Sequence, residues 1–204
     1  MREEVDFGGL TISFDHRVLR PRAWTVAQSE WAAKLMVGAP GGTVLELCSG
    51  AGHIGLLAVA ASGRRLLCVD ASGVACDFTR ANAVAAGIAD RVQVREGLLE
   101  EALHRDEVFP VIIADPPWVP RGRTGEFAED PLLAIDGGPD GLDVARACMT
   151  VIAYHLAPGG SAVLQLGTLA QAHVLRGEHC DDNDLVMVDV RQEQRGVLAR
   201  IDRA

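Results

Sequence analysis

The apolar run Val44-Leu45-Glu46-Leu47 opens directly into Cys48-Ser49-Gly50-Ala51-Gly52-His53-Ile54-Gly55, which reads as a strand, a glycine loop and a helix without a break. That order belongs to α/β sheets whose strands end in ligand-binding loops. Gly50 and Gly52 let the backbone turn sharply and approach a ligand closely, and the N–H groups opening the helix can hold a carboxylate or phosphate. About 20 residues further on, Leu66-Leu67-Cys68-Val69 ends in Asp70, where an acid can accept both hydroxyls of a ribose. An adenosine derivative is the expected ligand.

Gly50-Ala51-Gly52-His53-Ile54-Gly55 satisfies the dinucleotide fingerprint G-x-G-x-x-G, so a nicotinamide oxidoreductase is one reading. Three features favour S-adenosylmethionine instead. They are the acidic Glu46 inside the strand, the non-glycine Cys48 at the turn, and Asp115-Pro116-Pro117-Trp118 closing the apolar run Val111-Ile112-Ile113-Ala114. Hydride transfer has no use for that tetrad, whereas methylation of a planar NH2 group does. An amide or exocyclic amine is a poor nucleophile while its lone pair is delocalised, so a catalyst must hold both N–H bonds and leave the lone pair facing the methyl donor. The Asp115 carboxylate and the Pro116 carbonyl can accept those hydrogens. Pro116 and Pro117 fix φ and remove amide donors, and Trp118 offers a face for the flat group. Asp-Pro-Pro is also ordinary turn chemistry.

Glu46 to Gly52 resembles the E/D-x-G-x-G-x-G motif of class I S-adenosylmethionine-dependent methyltransferases, with Cys48 in place of the first glycine. The tetrad resembles their N/D-P-P-Y/F/W motif. Within that superfamily the pattern is most similar to the release-factor glutamine methyltransferases, which methylate the side-chain amide of a Gly-Gly-Gln tripeptide in translation termination factors. Val18-Leu19-Arg20-Pro21-Arg22-Ala23-Trp24-Thr25 resembles that family's V-L-I-P-R-P-E-T. Asp130-Pro131-Leu132-Leu133-Ala134-Ile135-Asp136-Gly137-Gly138-Pro139-Asp140-Gly141-Leu142-Asp143 resembles its E-P-x-x-A-L-x-G-G-x-D-G-L-D. Together these stretches span roughly residues 14 to 167.

The resemblance implies a Rossmann-like α/β fold: a mostly parallel seven-stranded sheet, helices on both faces and an antiparallel C-terminal edge hairpin. It implies a donor site built from Thr25, Glu46, Cys48, Ser49, Gly50 and Gly52, then Asp70 and Ala71, then Glu96, Gly97, Leu98 and Asp115. Catalysis would rest on Asp115, Pro116, Pro117 and Trp118, with Trp24, Asp115, Pro116 and Trp118 meeting the acceptor. Some positions depart from the pattern. Asp115 stands for the usual Asn, Trp118 for Tyr, and Ala23-Trp24 for Pro-Glu, all on the acceptor side. Asp-Pro-Pro-Trp is also the form found in adenine amino methyltransferases acting on nucleic acid. Where the family often has Gly-Asp to meet the adenine amino group, this chain reads Glu96-Gly97-Leu98.

With 204 residues and 49% hydrophobic content, the chain is expected to form one domain, residues 1 to 204. Residues 1 to 40 would supply an N-terminal segment and a helix over the donor site, and 41 to 204 the core. Release-factor methyltransferases commonly carry a helical domain ahead of the catalytic one. Here about 40 residues precede the first core strand, so docking is expected from the catalytic domain, a partner subunit or a small substrate. A formal net charge of -9 argues against a sequence-independent hold on nucleic acid. Arg17, Arg20, Arg22, Arg121 and Arg123 are either a local basic patch or ordinary solvated arginines. Five cysteines at scattered spacings, an acidic Met1-to-Asp6 start and no apolar stretch approaching the roughly 20 residues of a membrane span predict a reduced cytoplasm. His173, His179, Cys180, Asp181 and Asp182 are metal-ligand types in no familiar zinc spacing, and no metal is expected.

Periodicity predicts a helix from about Thr25 to Val37, with Thr25 and Gln28 at capping-box spacing and Trp31 and Leu35 on one face. Ser72 is placed to cap a helix burying Val74, Phe78, Ala81 and Ala85 and stopping at Gly87. A helix over Leu142 to Leu156 is expected to end at Pro158-Gly159-Gly160, followed by a strand over Ser161 to Leu166. Leu185 to Val190 and Gly196 to Ile201 are close enough to pair. The expected reaction is direct in-line methyl transfer to an NH2 nitrogen of a release-factor glutamine. An adenine amine of nucleic acid or a small-molecule metabolite is the alternative acceptor. Asp115 can orient the amine or receive its departing proton, whereas Asn could only orient.

Overall fold

The computed structural model describes residues 1–99, 101–180 and 184–203. It opens with a hairpin of β1 (Glu3–Phe7) and β2 (Leu10–Phe14) that the sequence reading did not anticipate. Gly8 and Gly9 both have positive φ, 60° and 90°, as a two-residue turn between right-twisted strands requires. The alternating Phe7, Ile12 and Phe14 bury one face of this hairpin in the apolar cluster under α2 (His53–Ala60) and α3 (Gly73–Ala85). Asn82 of α3 ties it down: its Oδ1 accepts from Ser13 N at 2.8 Å, and its Nδ2 donates to Ser13 O and Ala51 O at 2.9 Å. The expected α/β alternation follows, with α1 (Val26–Gly38) leading into β3 (Val44–Leu47).

The main sheet has seven strands in the order β5-β4-β3-β6-β7-β9-β8. β3, β4 (Leu66–Asp70), β5 (Val92–Glu96), β6 (Phe109–Ala114) and β7 (Leu156–Leu166) are parallel, while β9 (Val197–Arg203) runs antiparallel to both β7 and β8 (Leu185–Gln192). The expected C-terminal hairpin is present, inserted so that β8 is the outer strand. Side chains alternate across the sheet: Val44 of β3 joins the cluster under α2 and α3, and Leu45 and Leu47 join the cluster under α5 (Asp143–His155) and α6 (Leu169–His179). The central strands are apolar on both faces because helices cover both. The short α4 (Leu132–Ile135) lies in the segment between β6 and α5.

Three local expectations are corrected. Thr25 makes no side-chain cap bond to α1; its Oγ1 donates to Arg22 O at 2.8 Å, and Gln28 is fully buried rather than reaching back to the cap. In α3 the Ser72 cap holds, with its Oγ accepting from Ala75 N, but the buried face is Ala75, Cys76, Thr79, Asn82 and Ala83. Ala85 is exposed, and Val74, Phe78 and Ala81 are half-buried. Small and polar residues win that face because the glycine loop and the hairpin approach too closely for larger ones: a Cβ on Gly52 would meet Thr79 at 2.7 Å. Finally, α5 stops at His155 and β7 starts at once with Leu156, so Pro158-Gly159-Gly160 lies inside the strand at a register shift opposite Phe109 and Val111. Proline is tolerated at such irregular positions because no ladder donor is needed there.

Candidate active site

A cavity of about 500 Å³ opens at the C-terminal ends of the parallel strands, where the chain order reverses between β3 and β6. Open α/β sheets bind ligands at that switch point. Cys48, Ser49 and Gly50 come to its wall from the loop after β3, Asp70 and Ala71 from the end of β4, Gly97 and Leu98 from beyond β5, and Asp115 and Pro117 from beyond β6. Nine of the expected site residues thus share one wall. The N-terminal segment closes one side with Arg17, Val18 and Leu19, and Leu133 and Ala134 of α4 with Asp143 and Val144 of α5 close another. None of these had been singled out as site residues. The motif matches at Val18-Leu19 and Leu133 to Asp143 were the available signal.

Asp70 is half-occupied already. Its Oδ2 accepts from Gly50 N at 2.7 Å and its Oδ1 from Ser72 N at 2.8 Å, which locks the glycine loop onto the end of β4. A carboxylate has about four lone-pair sites, so each oxygen keeps capacity for a hydroxyl. Burial pushes its pKa up, opposed by those two backbone donors. Cys48 stands at φ 57°, in the left-handed region that glycine occupies without strain. The residues present therefore fit an adenosine-bearing ligand: an acid for the ribose, a tight backbone cradle and an apolar-walled cavity large enough to enclose it.

Several expected contacts lie elsewhere. Glu46 is fully buried beneath the loop, where Oε1 accepts from Gly55 N at 2.8 Å and Oε2 from the Cys68 thiol at 3.2 Å. It braces the strand-to-helix turn and is absent from the cavity wall. Gly52 faces Thr79 instead of the cavity. Thr25 is buried on the Arg22 carbonyl, and Glu96 is exposed beside Gly73. Trp24 lies between the Arg22 and Arg195 guanidiniums, 5.7 and 5.6 Å from its ring. Pro116 and Trp118 do not line the cavity. The Trp118 ring fills the space where a Cβ on Gly167 would stand, and its carbonyl accepts from Gln171 Nε2 at 3.0 Å.

Asp115 differs from Glu46 and Asp70, whose carboxylates are both held by hydrogen bonds. It faces the cavity, and among the described residues no hydrogen bond holds its carboxylate. Burial pushes its pKa up to about 7. The candidate basic patch dissolves into ion pairs: Arg17 with Asp15, Arg20 with Glu3, Arg22 with Asp130, Arg121 with Asp136 and Arg123 with Glu126. Among the described residues no group of three His, Cys, Asp or Glu side chains could hold a metal; Asp181 and Asp182 lie outside those residues. No described helix is long and apolar enough to cross a membrane.

Residues 9–126 match the family described as Conserved hypothetical protein 95. A release factor glutamine methyltransferase from Clostridium acetobutylicum is 28% identical over 208 aligned positions, covering 98% of this chain and 71% of that protein. One from Moorella thermoacetica is 30% identical, covering 95% of this chain and 71% of its own length. In three dimensions the protein SMU.776, solved in complex with SAH, superposes with a TM-score of 0.67 at 14% identity, over 98% of this chain and 56% of that one. The Rossmann-like fold and these relatives together define an S-adenosylmethionine-dependent methyltransferase. Within that class, the chain belongs to the family matched by Conserved hypothetical protein 95 and to the release factor glutamine methyltransferases.

Proposed function

We propose that this protein methylates the side-chain amide nitrogen of a glutamine in a peptide chain release factor, in the cytoplasm. The observation that supports this most is Asp115, a carboxylate without a hydrogen bond, standing at the wall of a cavity whose other walls carry the release-factor motifs. S-adenosylmethionine supplies an electrophilic methyl group when bound. Asp70 would hold its ribose, and the Cys48 to Gly50 backbone its methionine end. Asp115 accepts the N–H groups of the acceptor amide and turns its lone pair toward the cavity. Pro116, with no N–H, leaves the chain free of a competing donor there. Once nitrogen has gained a bond and become cationic, the ionised Asp115 is placed to take the surplus proton. Most of the rate would come from positioning. Trp118, packed on Gly167, would steady the turn more than stack the acceptor, and Trp24 would act only at the outer rim.

Protein acceptors agree with the paired arginines, which leave little free positive charge for phosphates. The test is to offer labelled donor to release factor, single-stranded DNA, RNA and a lysate metabolite fraction in parallel, and to locate the label by mass spectrometry. Label on the glutamine of a Gly-Gly-Gln loop is expected. Label only on adenine or only on a small molecule sinks the proposed acceptor.

A further inference from the structure

Behind the end of β6 sits Gln28, in the first turn of α1 and completely buried. Its Nε2 donates to two backbone carbonyls, Ala114 O at 2.9 Å and Val163 O at 3.0 Å. Those carbonyls belong to adjacent parallel strands, β6 and β7, where Ile113 pairs with Val163 and Ala114 with Leu164. Two carbonyl acceptors require a donor, so chemistry assigns the nitrogen to this side of the amide. The opposite atom, Oε1, is buried without a partner. An unsatisfied buried acceptor costs on the order of 1–3 kcal/mol. An apolar residue of the same volume would avoid that cost but would take the donor away from both carbonyls, so the glutamine is kept at this place by the two bonds it makes.

What the two bonds do is set one peptide plane. The Ala114 carbonyl and the Asp115 N–H belong to the same rigid peptide unit. At its nitrogen end that unit is held only by a long bond, Asp115 N to Leu47 O at 3.4 Å. At its oxygen end Gln28 holds it and staples it to β7. Immediately beyond, the chain leaves the sheet, and the Asp115 carboxylate has no hydrogen bond of its own. We infer that Gln28 is a positioning residue: by clamping the Ala114 carbonyl to the β6–β7 seam it fixes the direction in which Asp115 enters the cavity. This rests on the reading of Asp115 as the acceptor-holding carboxylate. α1 itself is anchored independently through Ser29, whose Oγ donates to Ile54 O at 2.9 Å.

Gln28→Met keeps the volume and removes both donors. The first readout needs no acceptor: the Asp115 carboxyl carbon is titrated by NMR in the protein alone. In wild type the midpoint is expected at about 7, set by burial, with Glu46 and Cys48 of the β3 segment as the titratable neighbours that feel its charge. In Gln28→Met the loosened turn lets the carboxylate reach water, and the midpoint moves toward the ordinary value of about 4. The second readout is kinetic: kcat falls by about tenfold to a hundredfold, as a misplaced reacting group predicts, with the KM for the donor unchanged within twofold. Ser29→Ala loosens α1 without touching the seam and is expected to move neither the midpoint nor kcat.

An Asp115 midpoint unchanged in folded Gln28→Met overturns the inference, as does an equal shift in Ser29→Ala. Should Gln28→Met not fold, hydrogen exchange of the wild-type Gln28 amide decides: protection like that of the neighbouring strand amides supports the clamp, and fast exchange refutes it. If the midpoint moves but no glutamine is methylated, Gln28 stands and the proposed acceptor falls.

Discussion

Glu46 stands within β3 and Asp115 just past the end of the adjacent β6, and burial pushes both carboxyls up to about 7, yet they are built for opposite purposes. Glu46 is bonded through both oxygens, to Gly55 N and the Cys68 thiol, and is sealed from the cavity. Asp115 lines the cavity and is bonded through neither. The same desolvation that makes the first a brace makes the second available for an external partner. A raised pKa locates burial; only the hydrogen-bond inventory separates a structural acid from a working one.

Removing each acid should therefore break different things. The largest effect is expected for Asp115→Ala, a loss of about 10²- to 10⁴-fold in kcat with donor affinity within a few-fold, read by steady-state kinetics and calorimetry. Because the ionised carboxylate accepts the N–H groups, kcat/KM in wild type should rise as pH climbs through about 7. Asp115→Asn, which can still accept through its carbonyl, should lose that acid limb while keeping part of the rate. A limb that persists in Asp115→Asn would reassign it to another group.

Asp70 is bonded like Glu46 yet exposed to the cavity like Asp115, so it combines the two roles. Asp70→Ala should weaken S-adenosylhomocysteine binding by roughly tenfold or more, the loss of a charge-assisted hydrogen bond of about 1.5–3 kcal/mol. Unchanged affinity in calorimetry would remove Asp70 from the donor site.

Glu46 should show itself in stability. Its folded pKa is raised, so the stability linked to its proton is fully present below the unfolded value near 4.5 and is lost as pH rises through about 7. Wild type should therefore lose on the order of 2–3 kcal/mol between pH 5 and pH 8 from this group. Glu46→Gln keeps an acceptor for Gly55 N and does not titrate. Its melting temperature should exceed that of wild type at pH 8, by about 2–4 °C for each kcal/mol in a domain of this size. Identical pH dependence in the two proteins would show that Glu46 is not the titrating brace. The smallest effect is expected at the neighbouring turn, where Cys48→Gly relieves a left-handed residue and should stabilise by about 1 kcal/mol in urea titrations.

Much of this molecule can be read from one dimension. The strand, glycine loop and acid at Val44 to Asp70 are local in sequence, and so is the turn at Asp115 to Trp118, because tight turns impose their residue types wherever they occur. Nine of the expected site residues meet at one cavity for that reason. Gly8-Gly9 between alternating apolar residues is equally legible as a hairpin turn. The buried face of α3 is not legible in that way. Its pattern of larger apolar residues gave no hint that a glycine loop would press against Thr79 and exclude them.

What no sequence window contains is the seam at the end of β6. Gln28 and Thr25, three residues apart, look like a capping box because local spacing is all a window offers. In the structure Gln28 turns inward to carbonyls 86 and 135 residues away, since a buried backbone acceptor outcompetes a cap that Thr25 has already surrendered to Arg22. Residue types and turns determined the class of ligand and the alternation of strands and helices. Burial and long-range hydrogen bonding decided which acid braces, which acid faces the cavity and what aims it, because those depend on neighbours that only packing brings together.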